Sequence, residues 1–419
     1  MENVLLTKKN FLVCPDINVC TDINIDEHTS LLDNFCGIVC HTIHKFNSSE
    51  RQPNTVVYFI GDIGKNYAKL KMENVKYLKV IKEHSINYKE TSDYQLISKG
   101  EVPLNVHNVG ILFPKLFDDD IDHFDEVTKA HQFQSLTESN KKGTAFRKGI
   151  YLTDVKESDN EIKFKLLRCS TNLSGPTDNL RDADKYLIGK VNTNVRYFLE
   201  KEATLNHVLA QVYQNQIIEE DGQTKERKAK ISVHSDKTKD MPKTGLIAFT
   251  TLYKGYTGKH HFNQPDTKHI KKSKENSYDC TFKGNSVLTR LRFRLKSVVK
   301  DESLTPDFDV VLYPNSVFVI PLSTNRLYTH EIVPSQMPVA DIPTRMGYVI
   351  RCSNTDAVFR DNKTYIVKDG KYIELEEQTE EGVRELKEKY FKENVGIEMV
   401  TYDDVHFSLN KGDYTKPLV

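Results

Sequence analysis

The residues in this sequence whose types and spacing could do chemistry begin with His234 and Asp236, in the stretch Ile231-Ser-Val-His-Ser-Asp236. Ile231 and Val233 alternate with Ser232, His234 and Asp236, the period of a strand. The spacing predicts that imidazole and carboxylate project from one face. A single His-x-Asp is expected about once by chance in a chain of this size, and a second stands at His123 and Asp125. Residues further along the chain add weight to the first pair. Tyr328-Thr-His330 comes after an apolar run at 316–320 and could bring a second imidazole from a later strand. Two histidines and one carboxylate on one side of a metal ion leave three positions open, which suits iron(II) and oxygen.

Further on, Arg345-Met-Gly-Tyr-Val-Ile-Arg351 places two arginines an even number of residues apart, so both project from one face of a strand. Guanidinium groups pair with carboxylates through two charge-assisted hydrogen bonds, so the two suit a dicarboxylate. A dicarboxylate that also chelates iron is 2-oxoglutarate.

Taken in order, His-x-Asp, a distant His and Arg-x5-Arg resemble the AlkB-like branch of the iron(II)- and 2-oxoglutarate-dependent dioxygenases. Gln211-Val-Tyr213 sits where that family carries Asn-x-Tyr. The likeness spans roughly 200–355, and more loosely from about 140. It implies a double-stranded β-helix (jelly-roll) core, with His234, Asp236 and His330 holding iron(II), and Gln211, Tyr213, Arg345 and Arg351 contacting 2-oxoglutarate. With dioxygen, such a site releases succinate and CO2 while hydroxylating or demethylating a substrate. The chain departs from the family pattern at three places. Gln211 stands for Asn, Gly347 stands where Asn is common, and Thr238 stands where some nucleobase demethylases carry an acid near the target base.

The elements that must position these residues divide the chain in three. Residues 1–118 are expected to form an α/β accessory domain, with strands at Thr55–Ile60, Tyr77–Ile81 and Gly110–Phe113. The acidic run from Asp118 to Glu126 reads as solvated surface at a domain boundary. Residues 119–365 are expected to be the catalytic domain, with strands at 149–152, 162–167, 246–252, 309–313 and 316–320 that suggest a sandwich or barrel. In the C-terminal extension, 366–419, Val383, Leu386, Tyr390 and Phe391 fit the apolar face of one amphipathic helix at 379–394. The fold class expected is therefore α+β.

Between Lys254 and Lys300 there are twelve Lys or Arg against three acids. Arg290, Arg292, Arg294 and Lys296 alternate with Leu291, Phe293 and Leu295, predicting one cationic face and one buried face. Tyr253, Tyr256, His260, His261 and Phe262 lie nearby. A basic stripe with aromatics suits phosphates and stacked bases, so single-stranded or duplex nucleic acid is the expected substrate, touched by Thr238, Arg290, Arg292 and Arg294. A solvated face paired with acids explains the stripe equally well. A protein side chain or small metabolite is the alternative substrate, and a non-catalytic module of the same fold is a third reading.

Composition adds constraints. Lys and Arg number 59 and so do Asp and Glu, so no net field draws the whole protein to nucleic acid or membrane. Seven cysteines at irregular spacing argue against a disulfide scaffold and for a reducing, intracellular setting. Cys36, Cys40, His41 and His44 match no common zinc spacing. Neither a signal peptide nor a membrane span is expected, and no obligate protein partner is evident.

Overall fold

The computed structural model describes residues 9–15, 25–137, 144–169, 173–198, 203–220, 222–257, 262, 269–402 and 405–419. Lys259, His260, His261, Lys268 and the loop residues Ser170–Asn172 lie outside the described residues. The chain forms two compact units, one of Met1–Asp118, Val191–Glu202 and Asn315–Val319, the other of everything else. Both are mixtures of helix and strand, with strands dominant.

The first unit is built on five parallel strands in the order Ile38–Cys40, Asn10–Val13, Thr55–Asp62, Val75–Ile86, Gln95–Ile97. Parallel strands are covered on both faces, which is why Val56–Ile60 is an unbroken apolar run and the whole strand Thr55–Asp62 is buried. That strand does not stop at Ile60, as the sequence suggests, but includes Gly61 and Asp62. It continues through a register shift, with a φ of 117° at Gly61 that glycine tolerates. Phe11, Val13, Phe46, Val57, Phe59 and Val80 form the core. Gly110–Phe113 is a strand too, paired with Leu104–Val106 and with Val317–Val319.

In the second unit two antiparallel sheets carry the candidate site. One runs Thr144–Thr153, His207–Tyr213, Arg345–Arg351, Leu246–Tyr253. The other runs Ile231–His234, Tyr328–Val333, Arg290–Leu295, Asp307–Val311. Apart from the consecutive pair Arg290–Leu295 and Asp307–Val311, neighbours within each sheet are distant in sequence, because the chain crosses from one sheet to the other and back. The 207–213 strand pairs with 345–351, and the 231–234 strand with 328–333. Chain halves wound together in this way are consistent with jelly-roll wiring.

A third antiparallel sheet joins Lys156–Ser158 and Glu161–Leu166 to Thr355–Arg360, Lys363–Lys368 and Lys371–Glu374, over a core of Ile162, Phe164, Leu166 and Phe359. The C-terminal helix is Glu380–Val395, capped by the Thr379 side chain, which accepts from Gly382 N–H. Leu386 and Tyr390 pack on Val405 and Phe407. Phe391, expected on the same face, is 65% exposed, since one residue past Tyr390 is about 100° around the helix.

The acidic run is less solvated than its composition suggests. Asp122 caps helix His123–Ala130 and also accepts from Gly255 N–H, and Asp119 bonds His123 and Tyr186.

Candidate metal centre

His234 ends its strand, directly opposite His330 on the neighbouring one. The ring centroids are 4.5 Å apart. Asp236 is not on the strand, as its spacing predicts, because the ladder stops at His234. A register irregularity between Ile231 and His234 also breaks strict alternation, so Val233 is 47% exposed instead of inward. The carboxylate nevertheless returns to the histidines. Asp236 Oδ1 lies 3.5 Å from His234 Nε2 and 3.8 Å from His330 Nε2. One ligand atom from each of the three residues lies within 4.8 Å of the others.

The surroundings fix the roles of these atoms. His234 Nδ1 donates to the Ser232 carbonyl at 2.8 Å, which turns Nε2 toward the other two groups. His330 is buried against Phe249 and Phe293. Burial first, and His234 second, push its imidazole down to about 3, so it is neutral at physiological pH. Burial alone would raise the Asp236 carboxyl. Arg351 overrides it, donating to Oδ2 from Nε at 3.1 Å and from Nη2 at 2.6 Å, and holds the acid well below the usual carboxylate range. The result is two imidazoles and one carboxylate, a donor set that fits iron(II).

Arg345 and Arg351 occupy the two ends of one seven-residue strand. Their backbones are therefore about 20 Å apart, and the two do different things. Arg351 is committed to Asp236. Arg345 lies over the Tyr213 ring, 3.9 Å from its centroid, and is buried with no acidic partner among the described residues. Its Nη2 has no hydrogen bond. Gly347 makes room for this stack, since a Cβ there would sit 3.3 Å from both Arg345 Nη1 and Tyr213 Cε2. Gln211, opposite Gly347 in the ladder, has its Oε1 3.5 Å from the Tyr213 hydroxyl.

The residues singled out for nucleic acid are not brought to this centre. Thr238 donates to Glu393 of the C-terminal helix from both its N–H and its hydroxyl. Phe293 faces inward against His330, so Arg292 and Arg294 on either side of it point to the outer face of the sheet. There Arg290 and Arg292 pair with Asp309, and Arg294 with Glu331. Lys296, expected on the same cationic face, is instead buried. Its ammonium donates to the Glu393 and Gly396 carbonyls at the C-terminal end of the Glu380–Val395 helix.

Asn325 joins the centre without any motif to mark it. Its amide accepts from Asp236 N–H at 2.9 Å and donates to Asp236 O at 2.8 Å, gripping the backbone of the acid. An Asn in the short helix Leu322–Leu327, eighty-nine positions away, has no sequence signal linking it to Asp236.

No family model matches the chain, and no curated protein matches it. Among solved structures it is similar to OsALKBH1, at 12% identity over 58% of this chain and 97% of that one, with a TM-score of 0.30. It is also similar to SnoN, a non-heme α-ketoglutarate-dependent epimerase of nogalamycin biosynthesis. That match has 9% identity over 60% of this chain and 80% of the other, with a TM-score of 0.31. Neither likeness is close. With TM-scores this low they decide nothing about activity.

Proposed function

We propose that this protein is an iron(II)- and 2-oxoglutarate-dependent oxygenase. The observation that carries the reading is the Asp236 carboxylate, whose one oxygen faces two imidazole nitrogens while the other is held by a buried arginine. His234 and His330 would bind the metal through Nε2, and Asp236 through Oδ1. Arg345 supports the co-substrate half of the proposal. A buried guanidinium without a counter-ion is costly, and a carboxylate ligand relieves that cost. Arg345 and Tyr213 would hold the distal carboxylate of 2-oxoglutarate.

Iron(II) bound there with 2-oxoglutarate and dioxygen supplies oxidative decarboxylation to succinate and CO2, coupled to oxygen transfer to a substrate C–H bond. The protein contributes geometry. Arg351 keeps Asp236 ionised and pointed, Phe249 and Phe293 keep water from His330, and Asn325 fixes the backbone between them. His234, the most exposed ligand, marks the side from which a substrate approaches.

A nucleic-acid substrate rests on the basic residues of 254–300 and the aromatics near them. Its arginine stripe is paired and faces away from the centre, so a protein side chain or small metabolite stands as an equal alternative.

The test is anaerobic titration with iron(II) and 2-oxoglutarate, following the metal-to-ligand charge-transfer absorption that chelation produces. The wild type should develop the band, and His330→Ala should not. A wild type that binds neither metal nor co-substrate overturns the proposal.

A further inference from the structure

The sheet ladder ends at His234, so hydrogen bonding between strands does not position Asp236. Side chains from elsewhere hold the 235–238 segment, and most come from the C-terminal helix Glu380–Val395, which belongs to neither sheet. Asn394 Oδ1 accepts from Ser235 N–H at 2.7 Å, while its Nδ2 donates to Tyr390 O, fixing the amide's orientation. Glu393 accepts from Thr238 N–H and from its hydroxyl. Lys237 places its ammonium 4.2 Å from the Tyr390 ring centroid. Thus three of the four residues from Ser235 to Thr238 are held by one turn of helix, with the Ser235 hydroxyl also donating to Tyr328 O, and the fourth, Asp236, is held by Asn325 and Arg351. Lys296 ties the end of that helix to the sheet of His330 through the Glu393 and Gly396 carbonyls.

We propose that Asn394 and Glu393 are positioning residues for the metal centre, so that the C-terminal helix sets metal affinity without touching the metal. The inference rests on the proposed function, in that it requires His234, Asp236 and His330 to bind a metal. Partners of metal ligands at one remove typically change metal affinity ten- to a hundredfold. Asn394 acts through a backbone one residue from the ligand, which points to the lower end.

The test uses cobalt(II) as a spectroscopic substitute for iron(II), titrated into the full chain, with ligand-field absorption reporting affinity and geometry. Wild type, Asn394→Ala, Asn394→Asp, Glu393→Ala and Glu393→Gln are compared. Phe391→Ala, on the exposed side of the same helix, and thermal unfolding of every variant serve as controls for stability. The expected result is about tenfold weaker binding and an altered spectrum in both alanine variants. Glu393→Gln, which keeps an acceptor oxygen, should recover most of the affinity, and Asn394→Asp, which keeps the acceptor but loses the donation to Tyr390 O, should recover part of it. Unchanged affinity and spectrum in folded alanine variants overturn the inference while leaving the metal centre intact. Loss of affinity in proportion to lost stability, with no rescue by the acceptor-retaining variants, overturns it as well. A wild type that binds no cobalt condemns the metal centre itself.

Discussion

Arg351 Nη2 stands 2.6 Å from Asp236 Oδ2, inside the protein, while the other oxygen of the same carboxylate faces His234 and His330. The buried ion pair therefore gives the acid a fixed direction. Arg351→Met should leave Asp236 buried without its cation, costing about 3–5 kcal/mol, as removal of one partner of a buried pair does. The carboxyl, released from its depressed state, should then bind metal only at higher pH than in the wild type. Chemical denaturation and metal titration across pH check both effects.

Arg345 should separate from Arg351 in its consequences. Arg345→Gln removes the buried cation that awaits a carboxylate. We expect 2-oxoglutarate binding about a hundredfold weaker, roughly 3 kcal/mol, with metal binding unchanged. Gly347→Ala should weaken 2-oxoglutarate binding by pressing on Arg345 and Tyr213, without altering metal affinity. Calorimetric titration of each ligand distinguishes these outcomes.

A second buried ion network predicts a pH limit. His131 Nδ1 bonds Asp178 and its Nε2 bonds Asp184, both at 2.7 Å. Burial opposes the charge, but the two carboxylates prevail and raise the imidazole to about 9. The folded value exceeds the unfolded value near 6.5, so this contribution is complete below about 6.5 and is lost as pH rises through about 9. Stability should decline over that window, and His131→Gln, less stable at neutral pH, should not show the decline. Unfolding midpoints between about pH 6 and 10 test it.

The arginine stripe should be dispensable for the reaction. Replacing Arg290, Arg292 and Arg294 with Gln removes exposed ion pairs on the outer face, each worth under about 1 kcal/mol. Succinate formation and the 2-oxoglutarate KM should stay within about twofold of wild type. A large loss of turnover would tie these residues to the centre itself.

Much of this architecture is legible in the sequence because it repeats with a local period. Leu291 and Phe293 are buried between Arg290, Arg292 and Arg294 as alternation requires. The three groups of the centre converge as their order along the chain suggests. The illegible parts depend on long-range partners. Alternation puts Asp236 on a strand, but the ladder stops at His234, and Asn325, Asn394 and Glu393 take over its support. Lys296 fits the basic stripe by spacing, and only the end of a helix a hundred residues later turns it inward. The shared face of Arg345 and Arg351 is correctly periodic, yet periodicity is silent about which acid each arginine meets.

The central claim is that His234, Asp236 and His330 hold iron(II) for the oxidation of 2-oxoglutarate. Succinate released from 2-oxoglutarate by the purified protein with iron(II), ascorbate and dioxygen, measured beside His234→Ala, tests it most directly. Such enzymes commonly turn over slowly without their substrate, so the wild type should form succinate and the variant should not. A wild type that forms no succinate and binds no iron contradicts the account.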